Sequence, residues 1–487
     1  MLLKKRITAF LLGAFCVAGF APFHLFFIPI LAIAGLIHLW SGKDAAWIGF
    51  CFGMGLFLSG VSWVYVSLHD FGGMPLPVAV LATALFCAFL SLYPALAGFL
   101  QARIETSPAL KSVLLVPAFF SLGEWMRGWL FTGFPWLALG YSQTGASPLG
   151  GFAPILGVYG VSLLVMVCGG LIFLLSKPPC RKIASVFLVS IFAAGYALQQ
   201  VNWTHPEGNP VTVSLLQGNI PQNRKWDDET LGDTMDIYMK LALSSRSRLI
   251  ILPETAIPMF SDEVPKEYLE MLRNHGRQNG GDVLIGLPER MPNHEQTYYN
   301  SVFSFGSSPN GVYRKSHLVP FGEYLPVKPL FGWLLDLMHI PMSDFSSGAV
   351  DQKPLDAAGE KLAIDICYED VFGEEVIRQL PQASLLVNVS DDAWFGDSIA
   401  PRQHLQIAEM RAMETGRMML RATNTGVTAI IDEHGRLVSR LPEFREGSLD
   451  ATVQGYSGTT PYVRWGNYAF VLLAGGMLLL AVWRRNK

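Results

Sequence analysis

The distribution of apolar residues is the strongest constraint on this chain. From Ile7 to about Leu198 the sequence is a succession of apolar runs, and from about Pro210 to Gly455 it reads as a mixed soluble domain. One more run, near Tyr468–Trp483, precedes Arg484, Arg485 and Lys487. A bilayer core of about 30 Å takes roughly 20 apolar residues per helix, and the runs reach that length. Seven spans are expected ahead of the mixed domain, near 7–22, 24–40, 45–68, 76–100, 109–130, 151–176 and 183–199, with an eighth near 467–483. Lys4, Lys5 and Arg6 precede the first run as they would in a signal peptide, but no small-x-small cleavage site follows and a second span begins almost at once. The first run is therefore read as a retained helix.

Basic residues set the orientation. With the N-terminus inside, the cytoplasmic segments carry Lys4, Lys5, Arg6, Lys43, Arg103, Lys111, Lys177, Arg181, Lys182 and the Arg484–Lys487 tail. The outside loops near 69–75 and 131–150 carry neither Lys nor Arg, which is the bias that fixes topology. Seven crossings then put the mixed domain outside the cytoplasm, and the eighth returns the tail. The expected division is a membrane domain at 1–204, an extracytoplasmic domain at 205–456, and a C-terminal transmembrane helix with a basic cytoplasmic tail at 457–487. A net charge of −3 with no basic patch gives no reason to expect a nucleic-acid partner.

Cysteine usage is pointed. Cys16, Cys51, Cys87 and Cys168 sit in apolar runs, Cys180 lies in a cytoplasmic loop, and Cys367 alone belongs to the external domain. That domain can form no internal disulfide. A lone thiol in an oxidising compartment is a liability unless it is buried or used, and on composition alone both readings stand.

The external domain alternates strand and helix patterns, as an α/β sandwich does. VTVSLLQGNI (211–220), SRLIILPE (247–254), DVLIGLPE (282–289), KLAIDIC (361–367) and SLLVNVS (384–390) read as buried strands. YYNSVFSFG and GVYRKSHLVP flank SSPN as a hairpin, and GVTAIIDEHGRLVSR (426–440) reads as a second. Helical patterns fall on DDETLGDTMDIYMKLAL, GEEVIRQL and RQHLQIAEMRAMETGRMM. Glu254, Lys315 and Cys367 all fall at strand ends, where open α/β sheets assemble sites. A free cysteine has a pKa of about 8.5, so it needs a base within reach. Attack on a carbonyl creates an oxyanion, which a fixed ammonium stabilises. Base, cation and nucleophile are three distinct tasks for these three residues. Each also has a plainer reading: Glu254 as a cap or surface charge, Lys315 as a solvated lysine, Cys367 as core.

With their neighbours, these residues resemble the nitrilase (carbon–nitrogen hydrolase) superfamily, and within it the membrane-embedded branch, the bacterial apolipoprotein N-acyltransferase family. The resemblance rests on QGNIPQNRKW (217–226), LPETAIP (252–258), YRKSHLVPFGEYLP (313–326), CYED (367–370), NVSDDAWFG (388–396), RATNTG (421–426) and, among the apolar runs, GEWMRGWLFTGFPWLALGYSQ (123–143). It implies a polytopic α-helical membrane domain of about eight transmembrane helices plus an α/β nitrilase-like αββα sandwich. It further implies Glu254 as general base and acid, Lys315 as oxyanion-stabilising cation and Cys367 as nucleophile. Glu323 would help orient the site, Tyr368 and Glu369 match the residues after the nucleophile, and Trp226 matches a lipid-binding tryptophan. Leu252 departs from the tryptophan often found before Pro-Glu, which bears on local packing alone.

The activity implied is ping-pong acyl transfer. A phospholipid, phosphatidylethanolamine for preference, acylates the cysteine, and the α-amino group of a diacylglyceryl-cysteine at the start of an apolipoprotein takes the chain. No metal or organic cofactor is implied. The resemblance places the enzyme in the bacterial inner membrane, with its catalytic domain periplasmic and both termini cytoplasmic, and a monomer is expected. The physics of lipids agrees. At about 0.8 kcal/mol per CH₂, drawing a sixteen-carbon chain into water costs on the order of 12 kcal/mol, which a site at the membrane face avoids.

Two further features carry open readings. LPVKPLFGWLLDLMHIPM (325–342) is unusually apolar for a connection, so that Phe331, Trp333 and Leu334 form either a lid at the lipid interface or a packed irregular segment. Glu124 and Arg127 share a helix face in an apolar run. They are read first as a structural pair, with Arg127 contacting a phospholipid headgroup as the alternative. His24, His38 and His69 form no ligand pattern. Two rival functions remain: a membrane-anchored nitrilase-type amidase, and a transporter or scaffold with a decayed hydrolase domain.

Overall fold

In a computed structural model the chain is described at residues 2–40, 44–291, 294–326 and 344–484. It divides into two compact units, one of Met1–Tyr65, Leu76–Asn202 and Thr460–Lys487, the other of Val66–Pro75 and Trp203–Thr459.

In the first unit the apolar runs are helical. Among the described residues, four helices are long and apolar enough to cross a membrane: Leu76–Arg103, Pro108–Arg127, Pro148–Leu175 and Arg181–Leu198. The run expected as one span at 45–68 is broken. Helix Ala45–Gly60 ends at Val61, whose φ is −131°, and helix resumes at Val64. The Trp63 indole donates to the Gly60 carbonyl at 3.1 Å, taking an acceptor that a continuing helix would use. Counting this broken pair as one span gives up to five. Phe27–Leu39 and Tyr468–Trp483 are apolar but hold 13 and 16 residues, short of the roughly 20 that a simple crossing takes. Leu2–Cys16 and Ala45–Gly60 lie almost backbone to backbone. A Cβ on Gly13 would come within 1.9 Å of the Phe52 carbonyl oxygen, and one on Gly55 within 1.9 Å of the Phe10 oxygen. Large apolar side chains stay exposed on the helices, Val189 at 68% and Leu472 at 75%, a surface suited to lipid rather than water.

The second unit is a sandwich. Twelve strands are described: β1 (Thr204–Gln217), β2 (Leu249–Ile251), β3 (Asp282–Met291), β4 (His294–Gly306), β5 (Gly311–Arg314), β6 (Leu355–Ala357), β7 (Glu360–Ile366), β8 (Leu385–Ser390), β9 (Met419–Thr423), β10 (Ala429–Ile431), β11 (Leu437–Arg440) and β12 (Gly447–Gly458). They form two six-stranded sheets, ordered β12-β1-β2-β3-β4-β5 and β11-β10-β9-β8-β7-β6. The middle strands run parallel, β1 to β3 in one sheet and β7 to β9 in the other, with antiparallel flanks. Side-chain alternation builds the layers. Val213, Leu215, Leu249, Ile251 and Leu284 share one core with Ile364, Ile366, Val387, Val389 and Leu420 of the other sheet. The intervening Ile250, Val283 and Ile285 face outward onto Tyr238, Leu241 and Leu272, on helices Asp228–Ser244 and Lys266–Gln278. Helix Ala400–Thr415, buried at every position except Arg402, packs on β9 and β10. Helix, sheet, sheet, helix is the αββα order.

Segment Val66–Pro75 belongs to this second unit although it lies in sequence between two apolar helices. Ser67 donates to the Trp394 carbonyl at 2.8 Å, and Phe71 meets the Trp394 ring edge-on at 6.5 Å.

Candidate active site

Three strand ends converge in the second unit. Glu254 lies just beyond β2, while Lys315 and Cys367 directly follow β5 and β7. Gly286 of β3 lets the turn carrying Glu254 lie against the sheet, since a Cβ there would come within 2.5 Å of the Pro253 oxygen and 2.8 Å of Glu254 Cα. Two residues at these ends hold positive φ, Thr255 at 45° and Cys367 at 53°. Such backbone costs about 1–3 kcal/mol per residue and persists where its surroundings over-determine it.

Glu254 is buried and fully engaged. Oε1 accepts from Asn300 Nδ2 at 2.7 Å and from Lys315 Nζ at 3.3 Å, and Oε2 accepts from the Asp391 backbone N–H at 2.8 Å. Lys315 Nζ also donates to Glu323 Oε1 at 2.8 Å, and Glu323 Oε2 accepts from the Val319 N–H at 2.8 Å. Burial favours the neutral carboxyl of Glu254, yet Lys315, Asn300, Lys225 and the Asp391 N–H outweigh it and leave the pKa below the ordinary value. Burial likewise opposes the Lys315 charge, and its two carboxylates more than offset that. Cys367 is raised well above a free thiol, first by burial and then by the Glu254 charge, with Lys315 pulling the other way. At rest the arrangement is an ionised carboxylate, an ammonium and a neutral thiol. That is the protonation state from which a general base works.

Glu369 ties the nucleophile's strand to the lysine's. Oε2 accepts from the Ile366 N–H at 2.8 Å, and Oε1 accepts from the Ser316 N–H at 2.7 Å, the Ser316 hydroxyl at 2.8 Å and the His317 N–H at 3.1 Å. Tyr313 donates to both oxygens at 3.1 Å. Tyr368 is buried edge-on against His317 and Phe372. After Cys367 the chain makes a single 3₁₀ turn, Cys367–Val371, and the helix expected at 373–380 shrinks to Gly373–Val376 and a further 3₁₀ turn. A macrodipole grows with aligned peptides, so one turn contributes little toward a thiolate.

Behind Cys367 lies a second set of charges. His404 pairs through Nδ1 with Asp392 and through Nε2 with Asp370, both at 2.9 Å, and Nε2 also lies 3.3 Å from the Cys367 carbonyl oxygen. Arg421 donates to Asp392 at 2.9 Å and to Asp370 at 3.3 Å. Burial and Arg421 oppose the His404 charge, but Asp370 and Asp392 prevail and lift its pKa to about 9.

Of the other residues expected to matter, Trp226 is half-buried in the turn before helix Asp228–Ser244, apart from the charge cluster's hydrogen bonds. Phe331, Trp333 and Leu334 lie outside the described residues. Arg127, in the first unit, is buried and donates to the carbonyls of Phe134 and Trp136 at 2.5 and 2.6 Å, while Glu124 accepts from the Leu139 N–H at 3.1 Å. The pair braces the 134–139 segment. Sequence reasoning assigned no role to Asn300 or Lys225 and read the DDAWFG stretch that begins at Asp391 as supporting the site through packing and turn hydrogen bonds; all three residues hold Glu254. Asp391 and Lys225 fall within segments quoted for the resemblance, and Asn300 within a hairpin strand. Among the described residues, no group of three or more His, Cys, Asp or Glu side chains is arranged to hold a metal ion.

Comparison with known proteins agrees over the whole chain. Residues 12–171 match the model of the apolipoprotein N-acyltransferase N-terminal domain, and residues 212–462 match that of carbon-nitrogen hydrolases. An apolipoprotein N-acyltransferase of Nitrosomonas europaea is 56% identical over 98% of this chain and 96% of its own length. One from Methylococcus capsulatus is 44% identical over 100% and 97%. Among solved structures, an amidase from Nesterenkonia sp. is similar at 16% identity, covering 54% of this chain and 96% of its own, with a TM-score of 0.37. By the match at residues 212–462 and its two six-stranded sheets the second unit is a nitrilase-like α/β domain, and by its full-length relatives the chain belongs to the apolipoprotein N-acyltransferase family.

Proposed function

We propose that this protein transfers a fatty acyl chain from a phospholipid to the α-amino group of the S-diacylglyceryl-cysteine that begins an apolipoprotein, through a thioester on Cys367. The observation that carries the mechanism is the buried cluster in which Lys315 bonds both Glu254 and Glu323 while the Glu254 charge bears on the Cys367 thiol.

Glu254 takes the thiol proton as Sγ attacks the ester carbonyl of the donor, phosphatidylethanolamine for preference. The oxyanion forms against the Lys315 ammonium, a contribution of the kind worth about 10²–10³ in rate. Its collapse breaks the ester C–O bond, and the lysophospholipid leaves with the proton from Glu254. The acceptor amine then attacks the thioester and gives a proton to Glu254. The amide forms, and Sγ departs and recovers that proton. General acid–base catalysis of this type contributes about 10²–10⁴. Glu323 orients Lys315, and Glu369 and Tyr368 hold the Cys367 turn. Trp226 and the apolar loop with Phe331, Trp333 and Leu334 contact the chains. For Arg127 the bracing role is favoured over a headgroup contact, because its guanidinium already serves two carbonyls.

In this reading residues 1–204 form the membrane domain, 205–456 the periplasmic catalytic domain, and 457–487 a last transmembrane helix with a cytoplasmic tail. Eight spans put both termini in the cytoplasm of a bacterial inner-membrane monomer. The short helices Phe27–Leu39 and Tyr468–Trp483 then serve as spans beside the longer ones. Membership of Val66–Pro75 in the second unit supports the orientation, since this loop without Lys or Arg shares a side with the catalytic residues.

The test is intact mass after incubation with phosphatidylethanolamine and no acceptor, beside Cys367→Ala. A fatty-acyl increment on wild type only, released by hydroxylamine, is expected. A folded wild type that stays unmodified while turning over lipid-free amides would favour an amidase instead.

A further inference from the structure

Lys225 is the second buried ammonium of the catalytic neighbourhood, and the acyl-transfer chemistry makes no use of it. Only 2% of it is exposed. Its Nζ forms a short ion pair with Asp391 Oδ2 and lies 3.4 Å from the Glu254 carbonyl oxygen. Asp391 in turn donates its backbone N–H to Glu254 Oε2 at 2.8 Å, and Asn424 Nδ2 holds its other carboxylate oxygen at 3.0 Å. A closed ring results: ammonium, Asp391 side chain, Asp391 amide, Glu254 carboxylate, Glu254 carbonyl, ammonium. Asn424 also fixes the near end of the lysine's own turn, accepting from the Ile220 N–H and donating to the Ile220 oxygen, both at 2.8 Å.

Burying an ammonium is costly, and a surface lysine would serve any purely structural purpose at less cost. Here the ammonium sits where its field and its geometry bear on the same carboxylate. Among the described residues, the charged or titratable groups shown to bear on Glu254 are Lys315 after β5, Glu323, which shares the Lys315 ammonium with it, Cys367 after β7, Asp391 after β8, and Lys225 itself. Lys315, Lys225, Glu254, Glu323 and Asp391 set three carboxylates against two ammoniums. Without Lys225 the ratio becomes three to one, with the unpaired charge on Asp391 bonded through its own amide to Glu254.

Resting on the acyl-transfer reading above, we infer that Lys225 is a positioning residue of that reaction: through Asp391 it fixes the orientation of the Glu254 carboxylate and keeps it ionised for attack by Cys367. Lys225 lowers the Glu254 pKa through its charge, in accord with this geometry. Its neighbour in the same turn is Trp226, so the turn proposed to meet lipid also carries the strut that sets the base.

The full-length protein in detergent is given phosphatidylethanolamine, and the initial rate of thioester formation is read by intact mass from pH 3 to 9, a range that reaches below the ordinary carboxyl value where the Glu254 limb lies. The acid limb of that profile reports the base. In Lys225→Met the limb midpoint moves up by about one pH unit or more, as an uncompensated neighbouring carboxylate requires. Lys225→Arg keeps the charge and leaves the midpoint near wild type. Asp391→Asn removes the negative partner and moves the midpoint down, and Lys225→Met/Asp391→Asn returns it toward wild type. A uniform loss of rate at every pH, with the midpoint fixed in Lys225→Met and in Asp391→Asn, would overturn the inference and leave Lys225 a packing residue. Should Lys225→Met not fold, Asp391→Asn and the double variant make the same discrimination. A wild type that forms no thioester at any pH fails differently, for it removes the acyl-transfer reading itself.

Discussion

Each unit of this protein buries a cation near a carboxylate, and the two couples spend their hydrogen bonds in opposite ways. In the first unit Arg127 gives its donors to the carbonyls of Phe134 and Trp136, while Glu124 accepts from the Leu139 amide. The charges grip backbone. In the second unit, among the described residues, the Lys315 ammonium bonds the carboxylates of Glu254 and Glu323, and Glu254 holds Asn300 and one amide besides. These charges grip each other, at strand ends, against a thiol at positive φ. A charge tied to backbone is a strut. A charge held by other ionisable groups can change its proton when a substrate arrives, and that is the property catalysis needs.

The largest expected effects lie in the second couple. Cys367→Ala should form no thioester at all. Glu254→Gln and Lys315→Met should each lower thioester formation by about 10²–10⁴ while the protein still folds. Rates within tenfold of wild type for either variant, in single-turnover mass measurements, would mean that the cluster braces the sandwich as Arg127 braces its loop.

The first couple should answer in stability instead. Arg127→Met strips two buried carbonyls of their donor and leaves Glu124 without a nearby cation, a loss of about 3–5 kcal/mol. Thermal unfolding in detergent should drop accordingly, with acylation per folded molecule close to wild type. A variant as stable as wild type but unable to accept phospholipid would make Arg127 a headgroup contact and erase the contrast.

Much of this was legible in the sequence, for identifiable reasons. β7, β8 and the Val211–Gln217 half of β1 are short apolar stretches bounded by turn residues, and helix Asp228–Ser244 announces itself by Asp227 capping the Glu229 amide. Other elements were hidden. Helix Lys266–Gln278 buries only Tyr268, Leu272 and Gly276, a stripe too thin, and with a glycine in it, to stand out from KEYLEMLRNHGRQ. β6 has three residues, and β12 pairs along β1 at the sheet edge, where half-exposed polar positions blur the alternation. The break at residues 61–63 depends on an indole reaching back to Gly60, which no apolar count detects. Glu254, Lys315 and Cys367 were findable because the chemistry asks for those residue types at strand ends. Lys225 was not, because NRKW reads as a solvated turn until Asp391, 166 residues away, comes to meet it.

A smaller effect extends the contrast within the second unit. The His404 set is built from ionisable groups, as the catalytic cluster is, yet its members are tied to one another and to the Cys367 carbonyl rather than to the thiol. It should therefore stabilise without titrating during turnover. His404 carries a pKa of about 9 in the fold against an ordinary value of 6.5. A raised folded value means that the stabilisation is complete below about pH 6.5 and is lost as pH climbs through about 9, an interval worth on the order of 3 kcal/mol. Thermal unfolding of wild type should fall across that window, while His404→Gln, less stable at pH 6.5, should give a nearly flat profile over the same range. Parallel slopes in the two proteins would mean that His404 is neutral in the fold. The charge balance behind Cys367 would then rest on Arg421 alone, facing Asp370 and Asp392, and one of those two carboxyls would have to hold a proton.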